Sequence, residues 1–214
     1  MFLKILAAIA GGIPLTLAIT AAALLIGLVL GIPLALALRS PHVLLRAPVR
    51  AVVNLIRAVP TLVWIFVLYF GVSIGYFHFE PLQAAIVVLG ASTACYLAEV
   101  YRSSFEAVPS GQYEASRSLG LSRFHELVYV IFPQVLRIAV PGISTFALTL
   151  IKDSSIPSVI GVNEITHRTT AAARSTGQGL VAYVAAGALY LGLSIILAFA
   201  LRALDARLKK EGVR

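Results

Sequence analysis

Residues 11–38 read GGIPLTLAITAAALLIGLVLGIPLALAL, 28 positions without one charged side chain, closed by Arg39. A hydrocarbon core about 30 Å thick is crossed by roughly 20 apolar residues in a helix. The run exceeds the core of a signal peptide and reaches Arg39 without a clear small-residue cleavage site, so a retained membrane helix is expected. Four more apolar stretches follow, at 58–79, 81–98, 138–151 and 175–201. In lipid every backbone polar group must be bonded within the segment, which makes such runs helices. Five spans are expected, at about 12–38, 53–75, 81–104, 134–154 and 178–203. The fourth has a clean core of only 14 residues, with Pro141 and Gly142 inside it.

Composition agrees. Apolar residues make up 59% of the 214 positions and charged residues 12%, against about 25% charged in a soluble domain. The mean hydropathy is +0.94. The formal charge of +8 does not point to nucleic acid, because the basic residues flank apolar runs. Arg39, Arg46, Arg50 and Arg57 follow the first run, and Arg102, Arg117, Arg123 and Arg137 lie between the third and fourth. Arg202, Arg207, Lys209, Lys210 and Arg214 follow the last. The opposite side holds only Lys4, Arg168, Arg174 and, at the end of the fourth run, Lys152. Positive residues stay in the cytoplasm, so the N-terminus is expected outside and the C-terminus inside. An odd number of spans disfavours two equal repeats within one chain. Gly27 and Gly31 form a GxxxG that serves either as a packing face toward another helix or as a close contact inside the chain. The lone cysteine, Cys95, excludes an intrachain disulfide.

The polar stretch 109–133, PSGQYEASRSLGLSRFHELVYVIFP, cannot span a membrane yet is patterned. Residues 112–119 read as a short helix ended by Gly120. A second, amphipathic helix starts near Ser122, with Phe124, Leu127, Val128 and Ile131 at helical spacing. Together they form a knob suited to insertion into a groove on a partner. Glu114-Ala115-Ser116, three residues, Gly120, nine residues, Val130-Ile131-Phe132-Pro133 resembles the EAA loop of binding-protein-dependent ABC importer permeases, whose usual form is EAA, three residues, G, nine residues, I-x-L-P. Further segments resemble the polar amino-acid (histidine/glutamine/arginine-type) branch: Arg57-Ala58-Val59-Pro60 its RGTP-like start of span two, residues 96–102 its YxAExxR, and residues 150–160 its LxKDTSLxSVI. The resemblance covers about 12–208. Ser92, where many members have asparagine, and Pro157 depart from the pattern and bear on the pocket.

The resemblance implies an all-α transmembrane chain: the five-helix ABC importer type I permease core, N-terminus outside, C-terminus cytoplasmic. Residues 105–133 would form the cytoplasmic coupling loop between spans three and four. It further implies two ABC ATPase subunits, a second permease copy or paralogue, an extracytoplasmic solute-binding protein, surrounding lipid and an amino-acid substrate, in the cytoplasmic (inner) membrane. Glu114, Ala115, Ser116, Arg117, Gly120, Leu121 and Ser122 would meet the ATPase. No G-x-x-x-x-G-K-[ST] occurs, so ATP and Mg would be bound by that partner, with no cofactor in this chain. His42, His78, His125 and His167 show no metal-ligand spacing, and no nucleophile elbow or paired-carboxylate motif occurs. No catalytic and no metal site is expected.

Ionisable groups near a membrane core are candidates for function. Asp153 either binds an ammonium group or caps the next turn. Lys152 either pairs with a carboxylate or snorkels to the interface. Thr93, Tyr96, Ser154 and Glu164 complete the candidate pathway, although Thr93 and Tyr96 suit packing or back-bonding equally well. Glu99 and Arg102, three apart, are expected to pair on their helix. The few membrane-embedded charges also suit a rival reading, an ion-coupled carrier or channel without an ATPase, and a third is a membrane scaffold that transports nothing.

Overall fold

A short helix, Phe2–Ala10 (α1), leads into Ile13–Leu38 (α2). Pro14 falls in the first turn of α2, where a missing N–H costs nothing. The computed structural model describes residues 2–74 and 77–211; Arg214 lies outside the described residues. The chain continues through α3 (Val43–Ala58), α4 (Thr61–Phe66) and a π-helical turn, Val67–Gly71. A two-residue antiparallel hairpin follows, with Ser73 opposite His78 and Ile74 opposite Phe77. Then come α5 (Pro81–Glu106), α6 (Ser110–Ser118), α7 (Arg123–His125), a second π-helical turn (Glu126–Ile131) and α8 (Phe132–Asp153). A 3₁₀ turn, Ile156–Ile160, precedes α9 (Ile165–Thr176) and α10 (Gly179–Glu211).

The buried positions of α2 are Thr16, Ile19, Thr20, Ala23, Gly27, Gly31, Ala35 and Leu38. They recur every three or four residues and so form one face, made of small side chains. That face lies on α5. A Cβ at Gly27 would overlap the Thr93 side chain, and one at Gly31 would come within 3.1 Å of Leu97 Cβ and 3.2 Å of the Tyr101 ring. The GxxxG is therefore a contact inside this chain. As the number rises on α2 it rises on α5, so the two helices are parallel, and residues 39–80 must carry the chain back between them. The third long helix reverses again: Gly142 of α8 meets Val100, and Phe146 stacks on Tyr96, with centroids 4.2 Å apart. Helix α10 packs on α8 and α9, and α1 joins Ile165, Ala182 and Ala185 in a separate apolar cluster through Ile5 and Ile9.

Among the described residues, four helical segments are long and apolar enough to cross a membrane: Phe2–Leu38, Pro81–Glu106, Arg123–Ile160 and Gly179–Arg207. The return between α2 and α5 differs from the single helix expected over 53–75. It is a pair, Val43–Ala58 and Thr61–Gly71, bent by 101°. Pro60 supplies no N–H and its ring pushes Val59 out of the helical region; Val59 is extended, at φ −94 and ψ 134. Residues 39–52, which the expected spans leave between the first and the second, are mostly helix α3. The segment 105–133 also holds more helix than a loop, since the turn after α7 runs straight on into α8.

Replacing Gly27 by leucine should lower the thermal unfolding midpoint of the detergent-solubilised protein by the equivalent of about 1–3 kcal/mol or more, the usual cost of overfilling a close contact. Gly192→Ala is the control, because a Cβ there meets nothing within 4 Å. A Gly27 variant as stable as the parent would contradict the close approach of α2 and α5.

Candidate functional site

The break at Pro60 leaves the Ile56 carbonyl without its normal partner, the N–H four residues on. The indole of Trp64 takes that place, with Nε1 donating to Ile56 O at 3.2 Å. This bond ties α4 back over the end of α3 and fixes the corner. Beside the corner lies a cavity of about 520 Å³, walled by the end of α3, the start of α4, the middle of α5 and the last turns of α8. Its polar side chains are Arg57, Thr61, Ser92, Thr93, Tyr96 and Asp153, over an apolar lining that includes Leu89, Phe146 and Leu150. The Arg57 guanidinium stands 5.9 Å from the centroid of the Tyr96 ring, and Tyr96 is held flat by its stack on Phe146. Neither Arg57 nor Asp153 forms an ion pair with another described residue. A cation and an anion thus face one partly apolar space, each available to a ligand of opposite charge.

The sequence-predicted pathway residues divide. Thr93, Tyr96 and Asp153 line this cavity, but the Thr93 hydroxyl is already used, donating to Leu89 O at 2.6 Å. Lys152 does not join them. One residue along a helix turns the side chain by about 100°, and Lys152 lines a different cleft, between α8 and α10, with Gly187 and Tyr190. Ser154 is fully buried and donates to Ile151 O at 2.7 Å. Glu164 is fully buried as well. Its carboxylate caps α9, accepting from the N–H groups of Thr166 and His167 at 2.8 Å each and from the Tyr190 hydroxyl at 2.6 Å. Burial pushes the Glu164 carboxyl up, against the downward pull of those hydrogen bonds. Lys152, Ser154 and Glu164 are therefore removed from the cavity. Glu99 pairs with Arg102 at 2.6 Å, and Arg102 reaches Glu106 at the same distance.

Arg57, Thr61 and Phe146 are cavity residues that the sequence reading does not propose for the pocket. Arg57 enters the sequence reading as an orientation signal and as the first residue of the RGTP-like segment, and the Pro60 three residues later marks the break that turns it toward the cavity. Of the two departures from the family pattern, Ser92 lines the cavity. Pro157 does not; it is buried in the first turn of the 3₁₀ segment.

The knob has its own internal logic. Helix α6 ends in paired bonds, Gly120 N–H to Arg117 O and Leu121 N–H to Ser116 O, at 2.9 and 3.1 Å, the Schellman closure that needs a left-handed residue. Gly120 supplies it, at φ +75. The Ser122 hydroxyl caps the next turn by accepting from His125 N–H at 3.4 Å. Glu114, Ala115, Arg117, Gly120, Leu121 and Ser122 are exposed. Ser116 is not. It is buried and donates to Glu126 Oε2 at 2.9 Å, and Arg117 Nε joins the same oxygen at 3.1 Å. Ser116 thus braces α6 against the π-helical turn. The brace acceptor, Glu126, was not singled out in the sequence, since nothing local marks a contact ten residues away.

Residues 27–210 match the family described as the binding-protein-dependent transport system inner membrane component. The chain belongs to this family. Among curated proteins, it is 39% identical over 154 residues to a probable amino-acid ABC transporter permease, YckA, of Bacillus subtilis (strain 168), covering 72% of this chain and 68% of that one. It is 30% identical over 200 residues to the arginine ABC transporter permease ArtQ of Haemophilus influenzae, covering 90% of each. Among solved structures, a crystal structure of an amino acid ABC transporter with histidines matches with a TM-score of 0.88 at 27% identity, covering 96% of each chain. An inward-facing form of the MetNI methionine ABC transporter shares the fold, with a TM-score of 0.79 at 24% identity. Apart from the two-residue hairpin, the helical architecture of this permease-family chain is that of ABC importer permeases, and the family is that of the membrane component of such importers.

Trp64→Phe keeps the ring and removes the N–H that holds the corner. It should destabilise the chain by about 1 kcal/mol, the cost of leaving a partly buried acceptor unpaired, read as a lower thermal midpoint in detergent. An unchanged midpoint would show that the corner holds without the indole bond.

Proposed function

We propose that the chain is the membrane subunit of an ATP-driven amino-acid importer in the cytoplasmic membrane, and that the cavity between the α3–α4 corner, α5 and α8 receives the amino acid. The observation that carries this reading is the meeting of Arg57 and Asp153, neither ion-paired, in one space. An amino acid offers a carboxylate and an ammonium group a few ångströms apart, and a guanidinium and a carboxylate match both ends. The apolar lining strengthens these contacts by lowering the local dielectric. Tyr96 and Phe146 offer a flat surface for a side chain. The names of the related permeases support the same substrate class.

In this reading the chain crosses the membrane five times, with the bent α3–α4 pair as the second crossing, the N-terminus outside and the C-terminus in the cytoplasm. Residues 1–214 form one permease domain, and a second copy or a paralogue completes the passage. The chain performs no catalysis itself. Two ATPase subunits bind ATP and Mg, and the exposed knob (Glu114, Ala115, Arg117, Gly120, Leu121, Ser122) docks on them. A solute-binding protein delivers the substrate from outside. ATP binding draws the ATPase subunits together, and the knob passes that movement into α8.

Uptake and ATP hydrolysis by the complex, reconstituted with its ATPase and loaded binding protein, separate the two roles. Asp153→Asn and Arg57→Gln should each lower uptake about ten-fold, the worth of one charge-assisted hydrogen bond, with assembly intact. Glu114→Lys and Gly120→Val should assemble in the membrane yet lose the stimulation of ATP hydrolysis by loaded binding protein. Normal uptake in all four variants would sink this reading in favour of a carrier that needs no ATPase.

A further inference from the structure

A second cleft, of about 670 Å³, opens between α1 and α9, far along the chain from the cavity already described. Its lining includes Lys4, Asn163, His167, Arg168 and Ser175, and no acidic residue. These cations stand where the chain spends few: of the 17 Lys and Arg residues, only four lie on the side assigned to the exterior, and two of them share this cleft. Arg168 is built into its wall. Gly11 leaves it room, since a Cβ there would come within 2.6 Å of Arg168 Nη1. That Nη1 reaches only the Ala8 carbonyl, at 3.5 Å, while the buried Nε has no hydrogen-bond partner among the described residues. Lys4 and Arg168 both lack a carboxylate within ion-pair distance among the described residues.

We propose that this cleft binds the phosphate of an anionic phospholipid headgroup at the outer membrane surface. Arg168 and Lys4 supply the charge, with the planar guanidinium donating to phosphate oxygens, and Asn163 and Ser175 complete the polar rim. The apolar part of the cleft, Ile5, Ala8, Ala171 and Ala172, accepts the glycerol and first methylenes. On the same short helix as Lys4, Phe2 and Leu3 are exposed, Leu3 by 75%, and they suit acyl chains. A carboxylate on a water-soluble partner would leave those two side chains in water, which favours the lipid. The inference rests on the orientation proposed above.

The test measures phosphatidylglycerol retained by the whole importer complex, purified in detergent and weighed by native mass spectrometry. The double variant Lys4→Gln/Arg168→Gln should retain roughly ten-fold less lipid than the parent, Arg168→Lys most of it, and Arg174→Gln, whose side chain does not line the cleft, the parent amount. Phosphatidylglycerol added back to the delipidated parent should raise its thermal midpoint, while phosphatidylcholine should not. Equal retention by parent and double variant overturns the proposal. So does an equal midpoint shift from inorganic phosphate alone, which would make the site one for the free ion. Weaker affinity of the double variant for loaded binding protein, with lipid retention unchanged, overturns it in favour of a protein partner. Amino-acid uptake by the double variant in phosphatidylcholine proteoliposomes is read separately and should match the parent, so a failure of the importer reading is not mistaken for a failure here.

Discussion

Gly27 lies so near Thr93 that one methyl group has no room between α2 and α5, and the course of the chain depends on that closeness. In a membrane, apolar side chains gain little by leaving lipid for one another, so helices adhere where small residues let their backbones approach. Gly27, Gly31 and Ala35 on α2, with Gly90 on α5 accommodating Ile26, make such a surface. Because α2 and α5 run in parallel, the intervening chain has to climb back, and the bent α3–α4 pair does so. Helix α8 then packs antiparallel on α5 through Gly142 and Phe146, and α10 follows α8.

The corner in that return path is where structure turns into chemistry. Pro60 stops α3, Trp64 satisfies the carbonyl that the break exposes, and the last residues of α3 present Arg57 to the space that Asp153 reaches from α8. Helix-breaking residues are tolerated within a membrane where another group meets the freed backbone, or where it borders a polar space. Both conditions hold at this corner.

The apolar runs at 11–38 and 81–98 announced α2 and α5 because hydropathy measures length and composition, which are local. The direction of a helix is not local, and hydropathy could not reveal the 101° bend inside 53–75. The place of Arg57 in the cavity wall is hidden for the same reason: next to an apolar run an arginine reads as a flank, and only the bend adds the wall. Glu164 looked like a pathway residue because a carboxylate near lipid is costly, yet its partner Tyr190 comes 26 residues later, beyond the reach of any spacing argument. Gly120 was legible because a left-handed residue at a helix end is a property of the residue and its immediate neighbours. The burial of Ser116, in the same motif, is not legible in the sequence because its brace partner sits across the knob.

From the brace at Glu126 to Asp153 the chain runs as helix, 28 residues without a loop, and so measures roughly 40 Å at 1.5 Å per residue. Such a length is a lever. A tilt of about 5° applied at the knob displaces the far end by roughly 3.5 Å over that arm, more than separates a made hydrogen bond from a broken one. The Ser116–Glu126–Arg117 junction leaves little slack at the knob end. A small angle at one end of this helix corresponds to a larger distance at the other, where Asp153 lies.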